Sequence, residues 1–128
     1  MDNHQKTRPK RTILIADDEV LVRGLMRDSL KWDYDILEAD DGSKVMHIVE
    51  TTPVDLVITD VCMPEKDGLE TIQALRRMRR ELKILAISGA FDGFFLSAAR
   101  ALGADAILEK PFDPAELARC VQTLLPAA

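Results

Sequence analysis

The sequence predicts an α/β fold in which a five-stranded parallel sheet, in the strand order 2-1-3-4-5, is doubly wound with five helices on its two faces. Short runs of consecutive apolar and β-branched residues, such as residues 56–59, are typical of strands buried on both faces. They alternate with segments whose apolar residues recur at helical spacing, and this alternation is typical of a parallel sheet. Right-handed crossovers, together with the need to cover both faces of the sheet, favour this strand order. The length of 128 residues, 47% of them hydrophobic, suits one compact domain.

The first half of the chain provides two strands and two helices. Residues 12–16 predict a short buried strand, and residues 34–39 predict a more polar strand at an edge of the sheet. A turn at residues 40–42 leads into the second helix. The residues predicted to face the core are Val22, Leu25, Met26 and Leu30 in the first helix and Val45, Ile48 and Val49 in the second.

The second half continues the alternation, with strands predicted at residues 56–59, 84–87 and 106–108. The third strand ends at Asp60 and is followed by a stiff loop that contains Pro64 and the turn signal Asp67-Gly68. The third helix is predicted to carry four arginines on its solvated side, namely Arg76, Arg77, Arg79 and Arg80. The apolar stripes of the last three helices are Leu69, Ile72, Leu75 and Met78; Phe91, Phe94, Phe95, Ala98 and Leu102; and Leu117, Val121 and Leu124.

The sequence also predicts where two of the helices begin or end. Asp92 is expected to cap the fourth helix, and Gly103 is expected to end it. The fifth helix should begin at Asp113, because Pro114 suits the first helical position and Glu116 completes a capping box.

Composition narrows the class of function. The net charge of -5 argues against general nucleic-acid binding, and no apolar run is long enough for a membrane span or a signal peptide. Cys62 and Cys120 lack metal or redox spacing, so they are expected to be thiols of a cytoplasmic protein. We expect a basic flexible tail at residues 1–11, a single domain at residues 12–125 and a short C-terminal tail at residues 126–128.

Polar side chains are predicted to meet at one edge of the sheet. The first and third strands are neighbours in the predicted order, which brings Asp17 and Asp18 beside Asp60. Parallel strands point their carboxyl ends the same way, so Ser88 and Lys110 converge on the same edge. Each of these residues also has a structural explanation: helix capping for Asp17 and Asp18, turn formation for Asp60 and Ser88, and solvation for Lys110. Their joint position at strand ends favours a functional site.

The residue types suggest phosphoryl chemistry. An oxygen-only cluster of carboxylates suits Mg²⁺, and a lysine with a hydroxyl opposite suits a phosphoryl group. An aspartate such as Asp60 can itself be the nucleophile and form an aspartyl phosphate. No P-loop, nucleophile elbow or zinc-protease motif occurs in the sequence.

These motifs resemble those of receiver domains of two-component response regulators. They are residues 13–19, residues 55–64 with Asp67-Gly68, Ser88-Gly89, and residues 110–112. They occur in the family's order and on the matching strands, and the resemblance covers about residues 12–125. In size the chain is similar to single-domain chemotaxis regulators, which have a flavodoxin-like fold.

The resemblance implies that Asp60 accepts a phosphoryl group from a sensor histidine kinase or a histidine phosphotransfer protein. Lys110 and Ser88 would bind the phosphoryl oxygens, and the Lys110-Pro111 peptide is expected to be cis.

The resemblance also implies a set of Mg²⁺ ligands. Asp18 would bind the ion directly and Asp17 largely through water. The Asp60 carboxylate and the Cys62 backbone carbonyl would complete the protein ligands. A downstream partner would bind the fourth helix, fifth strand and fifth helix, with no contact to nucleic acid or membrane.

Three positions depart from common family patterns. Ile107 stands where many members have an aromatic switch residue, so an aromatic rotation coupled to Ser88 is not expected. Cys62 and Ala90 occupy the positions that tune phosphoryl lifetime, and neither can position an attacking water well. Slow dephosphorylation is therefore predicted.

Two other classes of function fit parts of the pattern. A phosphohydrolase with an aspartate nucleophile usually needs a second aspartate two residues later, where this chain has Cys62. A receiver-like interaction module would signal without phosphorylation. Labelling by a small phosphodonor separates these classes from a receiver.

Overall fold

The structure of the protein is a computed structural model that describes residues 9–61, 68–89 and 93–127. These residues form one sheet of five parallel strands in the order β2-β1-β3-β4-β5, as the sequence predicts. The strands are β1 (Thr12–Ala16), β2 (Asp35–Ala39), β3 (Leu56–Asp60), β4 (Lys83–Ser88) and β5 (Ala106–Glu109). We call the side where the strands begin the amino edge and the side where they end the carboxyl edge.

The helices of the described residues are α1 (Val20–Leu30), α2 (Gly42–Thr51), α3 (Gly68–Met78), α4 (Gly93–Leu102) and α5 (Pro114–Leu124). Helices α2, α3 and α4 pack on one face of the sheet, where Leu14 and Val57 are fully buried. Helices α1 and α5 pack on the other face, against Ile13 and Ile58. Successive residues of the inner strands thus enter two separate cores, which explains why β1, β3 and β4 are apolar through most of their length.

The predicted helix boundaries are confirmed where the structure describes them. The Asp113 side chain accepts the Glu116 N–H, and the Glu116 side chain accepts the Asp113 N–H, which completes the capping box. Asp41 caps α2 through the Lys44 N–H. Gly103 follows α4 with a φ of 125°, a left-handed conformation that favours glycine. Among the described residues, none of the helices is long and apolar enough to cross a membrane.

Three helices differ from the predicted pattern of burial. Leu25 of α1 and Phe94 of α4 are 64% and 78% exposed, and Met78 of α3 is at the border of exposure. The buried residues of α4 are instead Leu96 and Ala99. Apolar side chains occupy more than one stripe of α1 and α4, so periodicity alone does not identify the face that meets the sheet. Phe91 and Asp92 lie outside the described residues.

The prediction that Arg76 lies on a solvated face is wrong. Its guanidinium donates hydrogen bonds to the carbonyl oxygens of Gly103 (2.8 and 3.1 Å), Leu82 and Arg80 (both 2.7 Å). It also forms an ion pair of 2.8 Å with Asp105. The arginine side chain is long enough to reach both the segment between α3 and β4, which holds Arg80 and Leu82, and Gly103 in the loop before β5.

Aspartates also connect strands at the amino edge. Asp105 Oδ2 accepts the Ile84 N–H at 2.8 Å, and Asp55 Oδ2 accepts the Thr12 N–H at 2.8 Å. Each carboxylate thereby satisfies an N–H near the start of a neighbouring strand, and the amino edge is held by specific polar contacts.

Candidate functional site

The candidate site lies at the carboxyl edge, where β1 and β3 end side by side. Ala16 is paired with Thr59, so the next residues, Asp17 and Asp60, are neighbours across the two strands. Asp17 is fully buried and Asp60 is 4% exposed. Two carboxylates held this close in a buried place repel each other, which requires nearby positive charge.

Lys110 provides that charge from the loop after β5. Its backbone N–H donates to the Ser88 carbonyl oxygen at 2.6 Å, and its peptide bond to Pro111 is cis, as expected. Its ammonium nitrogen, Nζ, lies 2.9 Å from Asp60 Oδ2 and 3.2 Å from Asp17 Oδ2. The structure thus brings Lys110 to both buried aspartates, as the strand order predicts.

Glu19 is a part of the site that the sequence reasoning missed. Its Oε1 lies 2.6 Å from Lys110 Nζ, which is the shortest of the three carboxylate contacts that this lysine makes with described residues. Ligand atoms of Asp17, Glu19 and Asp60 all lie within 4.8 Å of one another, a group that can hold a metal ion. Asp18, the predicted direct ligand, is exposed and is not in this group. The acidic run Asp17-Asp18-Glu19 predicts that carboxylates lie at this edge of the sheet, but it does not show which of the three side chains turn toward the site.

Burial and charge shift the titration of two groups. Burial raises the pKa of Asp17, and the Asp60 charge adds to this, although the Glu19 N–H and Lys110 partly oppose it. Burial alone would lower the pKa of Lys110, but hydrogen bonds to Glu19 and Asp60 outweigh it, so the pKa lies above its ordinary value. The lysine therefore stays charged at neutral pH.

One buried oxygen in the site lacks a hydrogen bond. Asp17 Oδ2 is within ion-pair distance of Lys110, but among the described residues no donor reaches it with hydrogen-bond geometry. Asp17 Oδ1, by contrast, accepts the Glu19 N–H at 2.8 Å. An orphaned carboxylate oxygen in an oxygen-only group fits a hard divalent cation such as Mg²⁺.

Arg23 holds the backbone that carries Asp17. Its Nη1 donates to the Asp17 carbonyl oxygen at 2.6 Å, and its Nε donates to Glu38 at 2.9 Å. The Asp17 N–H donates to the Ala39 carbonyl oxygen at 3.1 Å. Helix α1 and strand β2 thus fix Asp17 from two sides, and this contribution was not visible in the sequence pattern.

Ser88 ends β4 next to the site. It is fully buried, and its preceding residue, Ile87, is paired with Asp60. Ile107, in β5, is half-buried and packs against the core under α2, α3 and α4. Cys62 and Ala90, the predicted lifetime-tuning positions, lie outside the described residues, as does the loop with Pro64 and Asp67.

A family model confirms the resemblance. The model for the response regulator receiver domain matches residues 13–122. The chain is 33% identical over 114 residues to the alkaline phosphatase synthesis transcriptional regulatory protein PhoP of Bacillus subtilis, covering 88% of this chain and 48% of that protein. It is 37% identical over 120 residues to the sensor kinase CckA of Brucella abortus, covering 89% of this chain and 12% of that protein. The chain thus spans about half or less of these relatives.

Solved structures agree with the fold. The chemotaxis response regulator CheY4 of Vibrio cholerae superposes with a TM-score of 0.83 at 26% identity, covering 90% of this chain and 98% of that one. A putative response regulator from Chloroflexus aurantiacus gives a TM-score of 0.84 at 30% identity, covering 94% of this chain and all of the other.

Proposed function

Since this chain belongs to the response regulator receiver family of two-component signalling, we propose that it is a phosphoacceptor whose nucleophile is Asp60. The observation that carries this proposal is the buried Asp60 carboxylate 2.9 Å from the ammonium of Lys110. In the proposed step an Asp60 oxygen bonds to phosphorus while the bond from phosphorus to the donor imidazole nitrogen breaks. The electron pair of that bond returns to the leaving imidazole.

The chain's own residues stabilise the charge that moves in this step. Lys110 would bind the phosphoryl oxygens, and Ser88 would donate its hydroxyl hydrogen to one of them. The Lys110 N–H donates to the Ser88 carbonyl oxygen at the end of β4. The backbones that carry the lysine and the serine are therefore held in a fixed relative position.

Mg²⁺ is the proposed metal. Its proposed ligands are the carboxylates of Asp17, Asp18 and Asp60 and the carbonyl of Cys62, and the orphaned Asp17 oxygen supports this. When bound, the ion would neutralise charge on the carboxylates and on the transferring group. Asp18 must turn inward from its exposed position to take part.

The proposed donor is a sensor histidine kinase or a histidine phosphotransfer protein, and response regulators as a class act on downstream effectors. We propose α4, β5 and α5 as the effector surface, supported by the exposed Phe94 ring on α4. Some relatives are DNA-binding transcriptional regulators, such as NtrC of Azospirillum brasilense, of which the match covers 24%. For residues 12–125, taken as the receiver unit, we propose no direct nucleic-acid contact, because the chain as a whole has a net charge of -5.

We further propose that the phosphoryl group is long-lived and that the protein turns over no other substrate. Cys62 and Ala90 offer no side chain suited to positioning an attacking water. Ile107 offers no aromatic ring for a rotating switch, so the proposed readout is a small shift at the start of α4. A phosphoryl half-life of only seconds in Mg²⁺ would contradict this proposal.

Labelling by a small phosphodonor tests the function. We expect acetyl phosphate with Mg²⁺ to add one phosphoryl group to the protein, measured by intact mass. Asp60→Asn should abolish the labelling, and Asp28→Asn, at an exposed aspartate of α1, should leave it intact. Sustained phosphate release would indicate a phosphohydrolase instead, and an unlabelled wild type would indicate a bare interaction module.

A further inference from the structure

Among the described residues, Lys110 has three carboxylate partners, and they are not equivalent. Asp17 and Asp60 are buried at the ends of strands, whereas the Glu19 side chain is 57% exposed. Yet Glu19 makes the shortest contact, at 2.6 Å, against 2.9 Å for Asp60 and 3.2 Å for Asp17. The partner that is free to move into water thus holds the lysine most closely.

The contact is not a by-product of helix capping. Glu19 is the N-cap residue of α1, but its side chain makes no capping hydrogen bond. Within the described parts of the chain, the Glu19 carboxylate accepts its hydrogen bond from Lys110. Its backbone is fixed, because its N–H binds Asp17 Oδ1 and its carbonyl accepts the Arg23 N–H at 2.9 Å. A fixed backbone with an exposed side chain permits the carboxylate to leave without disturbing the fold.

We propose that Glu19 is a detachable counterion of Lys110, which restrains the lysine in the resting site and leaves when phosphoryl oxygens arrive. This inference rests on the proposed phosphoacceptor function. A phosphoryl group brings a charge of about -2 and three acceptor oxygens, so it displaces a partly exposed carboxylate more readily than the two buried ones. Glu19 is therefore a positioning residue that acts through Lys110.

The kinetic consequence is asymmetric. Glu19→Gln should accelerate phosphorylation by acetyl phosphate about two- to fivefold, because an exposed ion pair no longer has to break. The lifetime of the phosphoryl group should change less than about twofold, since Glu19 has already left in that state. Glu19→Asp keeps the charge but is too short for the 2.6 Å contact, so it should accelerate phosphorylation in the same direction.

The experiment measures phosphorylation and dephosphorylation rates over a titration of Mg²⁺ up to saturation for the wild type, Glu19→Gln and Glu19→Asp. The control is Glu50→Gln, at an exposed glutamate of α2, which should match the wild type. An unchanged phosphorylation rate in Glu19→Gln would overturn the proposal. A slower rate that recovers only at higher Mg²⁺ would also overturn it and would make Glu19 a metal ligand.

A second measurement is independent of phosphorylation. The NMR signal of the Lys110 ammonium in the resting protein should shift in Glu19→Gln and stay unchanged in Glu50→Gln. An unchanged signal in Glu19→Gln would refute the resting contact. If the wild type took no label while this signal did shift, the phosphoacceptor function would fail and the ion pair would stand as a purely structural contact.

Discussion

The amino and carboxyl edges of the sheet both pair a basic side chain with aspartates, but the pairs have different roles. At the amino edge, Arg76 faces Asp105, and at the carboxyl edge, Lys110 faces Asp17 and Asp60. Asp105 Oδ2 accepts from both Arg76 and the Ile84 N–H, so that oxygen is fully used. Asp17 Oδ2, by contrast, is buried and has no hydrogen bond from any residue that the structure describes.

This difference indicates that the polar contacts at the amino edge stabilise the fold, whereas those at the carboxyl edge form a reactive site. Buried polar atoms in proteins are nearly always paired, and an exception calls for a specific reason. At the amino edge every contact described serves the connection of strands and helices. Among the described residues of the carboxyl edge, the carboxylates of Asp17, Glu19 and Asp60 all contact one lysine, Lys110, which leaves room for a cation or a phosphoryl group.

Arg76→Ala should have the largest effect on the comparison. It removes the ion pair to Asp105 and the hydrogen bonds to three carbonyl groups, and we expect a loss of about 3 kcal/mol in the free energy of unfolding. Urea unfolding measures this loss. Arg77→Ala, at the exposed neighbour, should cost less than about 0.5 kcal/mol. Equal effects of the two variants would mean that the amino edge is not held by Arg76.

Gly68→Ala tests how tightly the carboxyl edge is built. A Cβ at Gly68 would lie 2.4 Å from the Val61 Cα, directly after Asp60. Because backbone atoms must move to relieve this overlap, we expect a loss of about 2 kcal/mol and slower phosphorylation. Unfolding and labelling by acetyl phosphate measure the two effects. Wild-type stability and a wild-type labelling rate would show that there is room for a side chain between Val61 and the start of α3.

Asp17→Asn and Asp105→Asn should move stability in opposite directions. Removing the Asp17 charge relieves burial and repulsion from Asp60, so the metal-free protein should gain about 1 kcal/mol. Removing the Asp105 charge weakens its ion pair with Arg76 and should cost about 1 kcal/mol. Urea unfolding without metal compares the variants, and a shared sign would contradict the contrast between the edges.

Mg²⁺ should act on the carboxyl edge alone. At a free concentration 100 times its Kd, it should add about 2.7 kcal/mol to the wild type, seen as a higher Tm. Asp17→Asn should lose most of this gain, and Asp105→Asn should keep it. An unchanged Tm of the wild type in millimolar Mg²⁺ would count against a metal site here.

Gly24→Ala provides the smallest expected effect and the counterpart to Gly68→Ala. Gly24 lies inside α1, and within the described part of the chain an added Cβ would meet only the end of the Arg27 side chain, at 3.4 Å. Since alanine favours a helix interior over glycine, we expect a gain of about 0.5–1 kcal/mol. Thermal unfolding measures it. A loss would show that the space around α1 is tighter than the structure indicates.

The sequence predicted the strand order and the meeting of Asp17, Asp60, Ser88 and Lys110 at one edge, because strand direction alone determines where strand ends lie. It did not predict the exchange of Asp18 for Glu19 in the acidic group, since neighbouring acids differ only in which way the side chain turns. Nor did it predict the role of Arg76, because helical periodicity assigns a face but not the reach of a long side chain. These misses are matters of side-chain direction.

Strand β2 has a further consequence for how copies of this protein meet. Both β2 and β5 are outer strands, so their free sides could accept a strand from another molecule. Besides Glu38, which is paired with Arg23 and Arg27, the outer strands carry the carboxylates of Asp35 in β2 and Glu109 in β5. Two copies that approached by these strands would bring carboxylates against carboxylates, which disfavours continued growth of the sheet from one molecule to the next.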